Sequence, residues 1–533
     1  MSCSDRRRFA LTTPLYYVNA RPHIGSAYTT IAADALARYQ RLKGYEVLSI
    51  TGTDEHGQKI QRTAEEQNRD PHALCNEISG EFDALWHKLN IHYDRYSRTT
   101  DPRHTAIVKE FFARVWDKGD IYLGQQKGWY CVACEEFKEE RDLLADRYCP
   151  MHPNKQAEWR DEANYFFRLS NYQAQLEALF EENPDFIQPA SRRNEVINFV
   201  KQGLQDFSIS RVQLDWGIPV PNDPSHTLYV WFDALLGYVT ALLDPEDEPT
   251  LDNALRHWWP IDLHLIGKDI LRFHAVYWPA MLLSAGLPLP GGVFGHGFLT
   301  KDGTKISKTI GNTIDPHDLI DRFGAEAVRY YFLKEIEFGR DGDYNEERFI
   351  NIVNADLAND LGNLLNRTLK MVDKYCGSCV PAVNPADLDG SFTLKATGET
   401  LGERVDRAYQ TLEFHTACNS TLALIRDCNK FIDDRAPWTL FKQGEQVELE
   451  RVLYSILESV RLAAYLLSPI IPTLSTAIYT QIGFEVDFNQ PETLATLDFD
   501  RHRTWGCLAA GQTLGQAQPI FRRIEITTTE VSS

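Results

Sequence analysis

Two short peptides about 280 positions apart carry residue types that suit the binding of a nucleoside polyphosphate. Residues 22–26 read Pro-His-Ile-Gly-Ser and lie between an apolar run and an alanine-rich run, where a strand would give way to a helix. A turn in this position can hold phosphate at the N-terminus of the helix. Residues 305–309 read Lys-Ile-Ser-Lys-Thr, and the two lysines could neutralise a polyphosphate. Phosphate chemistry requires positioning and positive charge more than covalent participation, so the two peptides together could serve it.

Four residues in the middle of the chain have the spacing of a zinc site. Cys131 and Cys134 are separated by two residues, as are Cys149 and His152, and fourteen residues separate the pairs. Two such knuckles suit a tetrahedral ion. Because protein ligands would fill all four coordination positions of the ion, none is left for a reactive water. The sequence therefore predicts one structural Zn²⁺.

The elements that must position these residues change along the chain. Strand and helix patterns alternate up to residue 116. The alternation is absent from about residue 117 to residue 222, and it resumes near residue 228. Beyond residue 345 the pattern is that of long amphipathic helices. The predicted elements are strands at residues 11–18, 46–51, 228–231 and 262–266, and helices at residues 28–44, 351–375, 400–432 and 447–468.

These patterns predict an α/β protein: a doubly wound, Rossmann-type catalytic domain carries an inserted zinc-knuckle module, and an all-α helical bundle follows. The predicted domains are residues 1–116 (catalytic domain, first half), 117–222 (inserted connective module), 223–300 (catalytic domain, second half), 301–345 (lysine loop and link) and 346–533 (helical domain).

Composition restricts the class of protein. The 533 residues are 43% hydrophobic and 24% charged, as in an ordinary multidomain globular protein, and no apolar run of bilayer-spanning length occurs. No secretion signal follows the basic N-terminus, and the ten cysteines lack a disulfide framework, so we expect a cytoplasmic protein without membrane partners. A net charge of −20 argues against a general nucleic-acid coat protein but permits local basic tracks.

The two peptides resemble the H-I-G-H and K-M-S-K-S signatures of class I aminoacyl-tRNA synthetases, with Ser26 in place of the last histidine. A third element, Gly267-Lys268-Asp269 followed by His274, resembles the motif with which that superfamily holds the ribose of ATP. The resemblance implies activation of an amino acid by ATP with Mg²⁺, and catalytic roles for His23, Lys305 and Lys308. The implied ATP-binding residues are His23, Gly25, Ser26, Gly267, Asp269, Lys305 and Lys308.

Residues 12–19, 53–57 and 229–233 closely resemble the methionyl-tRNA synthetase family, and the similarity extends over nearly the whole chain. The resemblance implies ligation of L-methionine to tRNA(Met), initiator and elongator, through methionyl-adenylate. An unbranched thioether would be selected by shape and aromatic contact, whereas composition alone, without the motifs, favours core positions for Trp231, Phe273 and Trp278. The implied methionine-binding residues are Leu15, Tyr17, Asp54, Trp231, Ala234, Tyr238, Ile270, Phe273, His274 and Trp278.

The helical domain carries the residues that the resemblance assigns to the anticodon. Trp438 would stack on an unstacked base, while Asn363 and Arg367, four apart on one helix face, would bond to base edges. A buried tryptophan and a surface arginine are the alternative. Since the chain stops without a C-terminal OB-fold extension, we expect a monomer.

Three alternatives remain open. A class I synthetase for cysteine or a branched-chain amino acid would share the two signatures, although a cysteine enzyme needs its zinc in the substrate pocket. A small-molecule adenylyltransferase shares the first turn but has no use for an anticodon-reading domain. A non-catalytic tRNA-binding protein would have lost His23 or Lys308, and both are present.

Overall fold

The computed structural model describes residues 7–212, 214–306 and 311–525. Lys308, predicted to be catalytic, lies outside the described residues. For Lys305 the backbone is described, as part of a short strand, and the side chain is not.

The segment to residue 117 alternates strands and helices, as its sequence predicts. Its elements are β1 (Arg8–Tyr17), α1 (Ile24–Leu42), β2 (Glu46–Asp54), α2 (Gln58–Glu66), α3 (Pro71–Lys88), β3 (Arg95–Arg98) and α4 (Pro102–Asp117).

Short strands dominate the next hundred residues. These elements are β4 (Ile121–Cys131), β5 (Glu136–Lys138), β6 (Tyr148–Cys149), β7 (His152–Gln156), β8 (Glu158–Phe167), α5 (Gln173–Glu182), β9 (Ile187–Gln188), α6 (Ala190–Lys201), β10 (Phe207–Ser208), β11 (Ser210–Arg211), β12 (Pro219–Val220) and β13 (Asp223–Leu228).

The α/β alternation then resumes and leads into a linking region. These elements are α7 (Val230–Ala234), α8 (Gly237–Thr240), α9 (Leu251–Leu255), β14 (Leu263–Gly267), α10 (Trp278–Ser284), β15 (Val293–His296), β16 (Leu299–Lys301), β17 (Thr304–Lys305), α11 (Pro316–Phe323), α12 (Ala325–Glu335) and β18 (Gly342–Tyr344).

The remainder is a helical bundle. Its helices are α13 (Glu346–Val353), a π-helical stretch (Asn354–Asn363), α14 (Leu364–Cys376), α15 (Thr393–Gln410), α16 (Phe414–Arg435), α17 (Pro437–Gln443), α18 (Gln446–Leu467), α19 (Pro472–Gln481), α20 (Pro491–Leu494) and α21 (Phe499–His502). Among the helices that the structure describes, none combines the length and the hydrophobicity needed to span a bilayer.

The central sheet is parallel throughout, with strand order β3-β2-β1-β14-β15-β9. The order reverses direction between β1 and β14, and ligands of doubly wound sheets bind at the carboxyl ends of the strands beside such a reversal. The predicted α/β fold with a helical domain is confirmed. Strand β9, which lies within the predicted insertion, pairs with β15 and so joins the central sheet.

Two predicted elements are wrong. Residues 228–231 are not a strand of the central sheet: β13 ends at Leu228 and pairs with β11 and β12 in a separate antiparallel sheet, and α7 follows at once. The predicted helix at residues 400–432 is two helices, because the chain turns at Leu412, whose φ is 58°. No glycine or proline marks that turn in the sequence.

A buried ionic cluster joins the catalytic half to the helical bundle. The Asp34 carboxylate, on α1, accepts from Arg38 Nε at 2.8 Å and from Arg329 Nη2, on α12, at 2.6 Å. Both arginines also donate to backbone carbonyls, Arg38 to Phe488 and Arg329 to Ile470. Burial raises the pKa of Asp34, but the two guanidinium groups outweigh it and lower the pKa below 3.8.

Candidate active site and metal centre

The predicted phosphate-binding turn follows β1 at the reversal point of the sheet. His23 is the N-cap of α1, and its Nδ1 accepts from the backbone N–H of Gly25 at 3.0 Å and of Ser26 at 3.4 Å. A Cβ on Gly25 would lie 2.9 Å from His23 Cε1, so a larger residue here would displace the capping imidazole. Ser26 is only 5% exposed and offers little surface to a ligand.

The end of β14 lies beside this turn. Asp269 folds back over Gly267, where a Cβ would lie 2.5 Å from the Asp269 carboxylate and would displace it. The intervening Lys268 forms an ion pair with Asp341 at 2.6 Å. The loop after β14 is thereby fastened to the linking region, which also contains the predicted lysine loop.

His296, at the end of β15, fixes α1 against the sheet, and sequence reasoning missed it. Its Nδ1–H donates to the carbonyl of Gly297 at 2.8 Å, and its Nε2 therefore accepts from the Thr29 hydroxyl at 2.6 Å. Burial lowers the pKa of His296 to about 4, so the ring is neutral at physiological pH. The flanking glycines, in Gly-His-Gly at the end of a strand, are the local signal that could have marked it.

A small cavity opens at the same edge of the sheet. Seven of the ten predicted methionine-binding residues line it, drawn from β1, β2, α7, α8 and the segment after β14. Pro14 and Leu235 complete the wall and were not predicted. The lining residues are Pro14, Leu15, Asp54, Trp231, Ala234, Leu235, Tyr238, Ile270 and His274.

The remaining three predicted residues do not line this cavity. Phe273 stacks on Trp231 with the ring centroids 3.9 Å apart and the planes nearly parallel. Trp278 is fully buried in the core, and its indole N–H has no acceptor in the part of the chain that the structure describes. The Tyr17 hydroxyl donates to Glu135 at 2.7 Å.

The polar wall of the cavity is a neutral histidine–tyrosine pair. His274 Nδ1–H donates to the carbonyl of Ile270 at 3.0 Å, so its Nε2 accepts from the Tyr238 hydroxyl at 2.8 Å. Burial lowers the pKa of His274 to about 4 and raises that of Tyr238. Neither group carries a charge near neutral pH.

Asp54 places a carboxyl group in the wall of the cavity. Its side chain is 7% exposed, and its Oδ1 has no hydrogen-bond partner among the described residues. Burial raises the pKa of this carboxyl well above 3.8, and nearby Asp233 and Glu135 raise it further. A buried carboxylate with an unsatisfied oxygen favours a cationic ligand.

The residues after Asp54 anchor the turn that carries it. The Glu55 carboxylate receives two bonds from Arg98, at 2.7 and 3.0 Å. His56 Nδ1 lies 2.6 Å from one oxygen of Asp233, and His104 Nε2 lies 2.6 Å from the other. Burial would raise the pKa of Asp233, but the two imidazoles lower it to about 2. His104 and Asp233 were not predicted, because no local pattern joins positions so distant in sequence.

The four predicted metal ligands come together. Their donor atoms all lie within 4.8 Å of one another, and Cys134 Sγ is 3.5 Å from Cys149 Sγ and 3.3 Å from His152 Nδ1. Zinc–sulfur bonds of about 2.3 Å at tetrahedral angles place donor atoms about 3.8 Å apart. The cluster therefore fits a zinc ion with only small movements of the donors.

The three predicted anticodon residues lie on neighbouring parts of the bundle. Trp438, at the start of α17, is 40% exposed, and Asn363 is exposed at the end of the π-helical stretch. Arg367, on α14, pairs with Asp433 at 3.1 Å, and Asp433 lies in the last turn of α16, just before α17. The ion pair thus brings Arg367 to the junction from which Trp438 projects.

Two family models match successive parts of the chain. The model of class I tRNA synthetases (M) matches residues 9–158 and 142–369, and the model of the anticodon-binding domain of methionyl-tRNA ligase matches residues 392–531. A methionine–tRNA ligase of Synechocystis sp. is 68% identical over 525 residues, covering 98% of each chain, and one of Nostoc sp. is 68% identical over 521 residues, again covering 98% of each chain.

A solved structure of Mycobacterium tuberculosis methionyl-tRNA synthetase in complex with methionyl-adenylate superimposes with a TM-score of 0.90. It is 41% identical and covers 97% of this chain and all of its own. The superposition thus extends over nearly the whole of both chains. The chain therefore belongs to the methionyl-tRNA synthetase family of class I aminoacyl-tRNA synthetases.

Proposed function

We propose that this protein ligates L-methionine to tRNA(Met) in two steps, through methionyl-adenylate. The observation that carries the proposal is the cavity beside the His23 turn, because it joins an unsatisfied buried Asp54 carboxylate to apolar and aromatic walls. An amino acid with a long apolar side chain meets both demands: its ammonium group satisfies Asp54, and its side chain fills the space.

The walls favour methionine among such amino acids. Trp231, supported from behind by Phe273, offers an aromatic surface to a thioether, a contact that favours sulfur over a methylene group. The Tyr238 hydroxyl and His274 Nε2 are already bonded to each other. A side chain with its own strong donor or acceptor would therefore enter without a free partner, at a cost of about 1–3 kcal/mol.

ATP would bind across the reversal point with Mg²⁺ on its phosphates. The turn formed by His23, Gly25 and Ser26 directs the N-terminus of α1 at the phosphates, and Asp269 beside Gly267 accepts from the ribose hydroxyls. Lys305 and Lys308 would close over the β- and γ-phosphates from the linking region. Their positive charge offsets the charge that develops on the leaving pyrophosphate.

In the first step a carboxylate oxygen of methionine attacks the α-phosphorus, the bond to the bridging oxygen breaks, and pyrophosphate leaves with Mg²⁺. In the second step a hydroxyl of the 3′-terminal adenosine of tRNA attacks the methionyl carbonyl. The bond to the phosphate oxygen then breaks, AMP leaves, and the hydroxyl proton passes to it or to solvent. This chemistry needs alignment of the two substrates more than covalent participation by the protein.

The zinc ion has a structural role in this scheme. Cys131, Cys134, Cys149 and His152 would hold one Zn²⁺, with no open position for substrate. When bound, the ion fixes the knuckle. The predicted domain boundaries, cytoplasmic location and monomeric state stay predictions.

The helical domain would read the anticodon. Trp438 is exposed enough to stack on a base that has left the anticodon stack, and the Arg367 guanidinium could exchange Asp433 for a base edge or phosphate. Asn363 would supply amide donors and acceptors from the adjacent turn.

The test is amino-acid-dependent exchange of pyrophosphate into ATP, measured for all twenty amino acids, followed by aminoacylation of tRNA(Met). We expect exchange to be fastest with methionine by at least about 100-fold over polar amino acids, corresponding to about 3 kcal/mol. Faster exchange with cysteine or a branched-chain amino acid would contradict the assigned specificity. No exchange with any amino acid would contradict the proposed activity.

A further inference from the structure

Glu135 joins the zinc knuckle to the edge of the amino-acid cavity. It follows the zinc ligand Cys134 directly, yet its side chain is directed to the sheet edge and is 5% exposed. Its Oε1 accepts from the Tyr17 hydroxyl at 2.7 Å and from the backbone N–H of Lys59 at 2.7 Å. One carboxylate of the knuckle therefore holds the end of β1 and the start of α2 together.

The backbone on both sides is arranged for this contact. Glu135 has a φ of 55°, in the left-handed region that non-glycine residues seldom adopt, and the tight turn of the knuckle imposes it: the N–H of Glu135 donates to the carbonyl of Val132 at 3.3 Å. Opposite it, Gly57 has a φ of 112°, and a Cβ there would lie 2.7 Å from the Glu135 carboxylate. A side chain at position 57 would therefore collide with the Glu135 carboxylate.

The two groups that Glu135 holds flank Asp54. Tyr17 is the last residue of β1, and its Cα lies directly opposite that of Asp54 in the register with β2. Gly57 and the first turn of α2 follow three residues after Asp54. Any displacement of Tyr17 or of the turn at Gly57 therefore shifts the carboxylate that we assign to the α-ammonium group.

We propose that Glu135 is a positioning residue through which the zinc knuckle fixes the methionine site, acting on Tyr17 and on the turn before α2. The proposal depends on the proposed function. Cys134, one of the four metal ligands, is bonded to Glu135 through the chain, so an ordered knuckle holds the carboxylate in place without contacting the substrate. Supporting residues of this kind tune a binding site by removing alternative positions of the groups that contact the ligand.

The test compares variants of the zinc-loaded enzyme in two measurements. The methionine Kd is measured by quenching of tryptophan fluorescence, and the zinc content is measured for each variant. Glu135→Ala removes both hydrogen bonds, and we expect the methionine Kd to rise about 30-fold. One zinc per chain, the KM for ATP, and kcat at saturating methionine should stay within about threefold of wild type. Glu135→Gln should restore affinity to within about threefold, because both bonds go to one oxygen and an amide oxygen accepts them equally.

The adjacent Glu136→Ala is the matched control. Glu136 belongs to the same knuckle but pairs with Lys138, so its loss should leave the methionine Kd unchanged. Tyr17→Phe removes only the hydroxyl, and as a single substitution it should raise the methionine Kd about fivefold. In the Glu135→Ala background it should have no further effect, because the hydroxyl has already lost its partner.

Three results would overturn the proposal: wild-type methionine affinity in Glu135→Ala, an equal loss in Glu136→Ala, or a Tyr17→Phe effect of the same size in both backgrounds. If Glu135→Ala does not fold, Tyr17→Phe carries the test alone, and wild-type affinity in that variant refutes the proposal. A wild-type enzyme that fails to bind methionine contradicts the proposed function instead, so the two failures are distinguishable.

Discussion

Asp54 is the residue at which stability and the proposed function oppose each other. In the protein without substrate its carboxylate is buried, Oδ1 has no partner among the described residues, and Asp233 and Glu135 lie close enough to repel it. An asparagine at this position would keep the shape of the side chain and one acceptor for the backbone N–H of His56, without the charge. We therefore predict that Asp54→Asn stabilises the free protein while it abolishes tight methionine binding.

The magnitudes follow from the cost of an uncompensated buried group. Such a group costs about 1–3 kcal/mol, so at a pH above the folded pKa of Asp54 the free energy of unfolding of Asp54→Asn should exceed that of wild type by about this amount. Removing one partner of a buried charge pair costs about 2–5 kcal/mol, which is about a 30- to 5,000-fold rise in the methionine Kd. Methionine at about 100 times the wild-type Kd should stabilise the wild type by about 2.7 kcal/mol and the variant by less than about 1 kcal/mol.

The pH dependence has a definite sign. Because the pKa of Asp54 is raised in the folded protein, its cost is fully present above that folded pKa. The folded protein takes up the proton more readily than the unfolded chain, so the cost declines as the pH falls through the folded pKa toward about 3.9. The stability advantage of Asp54→Asn should therefore shrink over that window and vanish below it.

Urea unfolding with and without methionine, at several pH values, measures these effects. Asp500→Asn is the control, because it removes one charge from a surface carboxylate that is 83% exposed. A variant that binds methionine within about threefold of wild type would refute the assignment of Asp54 to the ammonium group. An Asp54→Asn protein less stable than wild type by more than about 1 kcal/mol would refute the claim that the carboxylate is uncompensated.

Three further predictions concern the rest of the molecule. Asp34→Asn should lower the free energy of unfolding, measured in urea, by about 3–5 kcal/mol. Glu46→Gln, which breaks the exposed pair with Arg8, should lower it by less than about 1 kcal/mol. Because the pKa of Asp34 is lowered in the folded protein, the stabilisation by its carboxylate is lost as the pH falls below 3.8. Trp438→Ala should leave pyrophosphate exchange unchanged and raise the KM for tRNA about 5- to 150-fold, and loss of both activities would place Trp438 in the core instead. Cys149→Ser should lose zinc by elemental analysis and expose the knuckle to protease, while Cys376→Ser should retain both properties.

Sequence patterns predicted the elements that repeat regularly. The parallel strands at 11–18 and 262–266 and the helix at 447–468 correspond closely to β1, β14 and α18, because each is an uninterrupted run of one periodicity. Helix α1 begins four residues earlier than predicted. Its cap is a histidine, which is not among the usual capping residues, so no standard start signal marks this helix in the sequence.

The errors arose where local pattern and tertiary contact diverge. Residues 228–231 have the composition of a strand, but Tyr229 caps a short helix that carries the Trp231 ring to the cavity rather than to the sheet. Apolar runs this short cannot be assigned from periodicity alone.

The motifs located the candidate site better than they located its supports. Seven of the ten predicted residues line one cavity. The residues that support the cavity and the neighbouring turn, such as His104, His296 and Glu135, come from distant positions and act through two hydrogen bonds each. Only the folded arrangement reveals such pairings, since neither spacing nor composition records which carboxylate meets which donor.

The ionic cluster at Asp34 has a consequence for how the protein can be divided. Arg329 donates to carbonyls at Leu89 in the catalytic half and at Pro469 and Ile470 in the helical bundle, and Arg38 donates to that of Phe488. A fragment that ended before the bundle would expose Arg38, Arg329 and the apolar face of α1, all of which are now buried. Unfolding is therefore expected to be cooperative across the boundary, and a catalytic fragment would require substitutions on α1 and α12 to remain soluble.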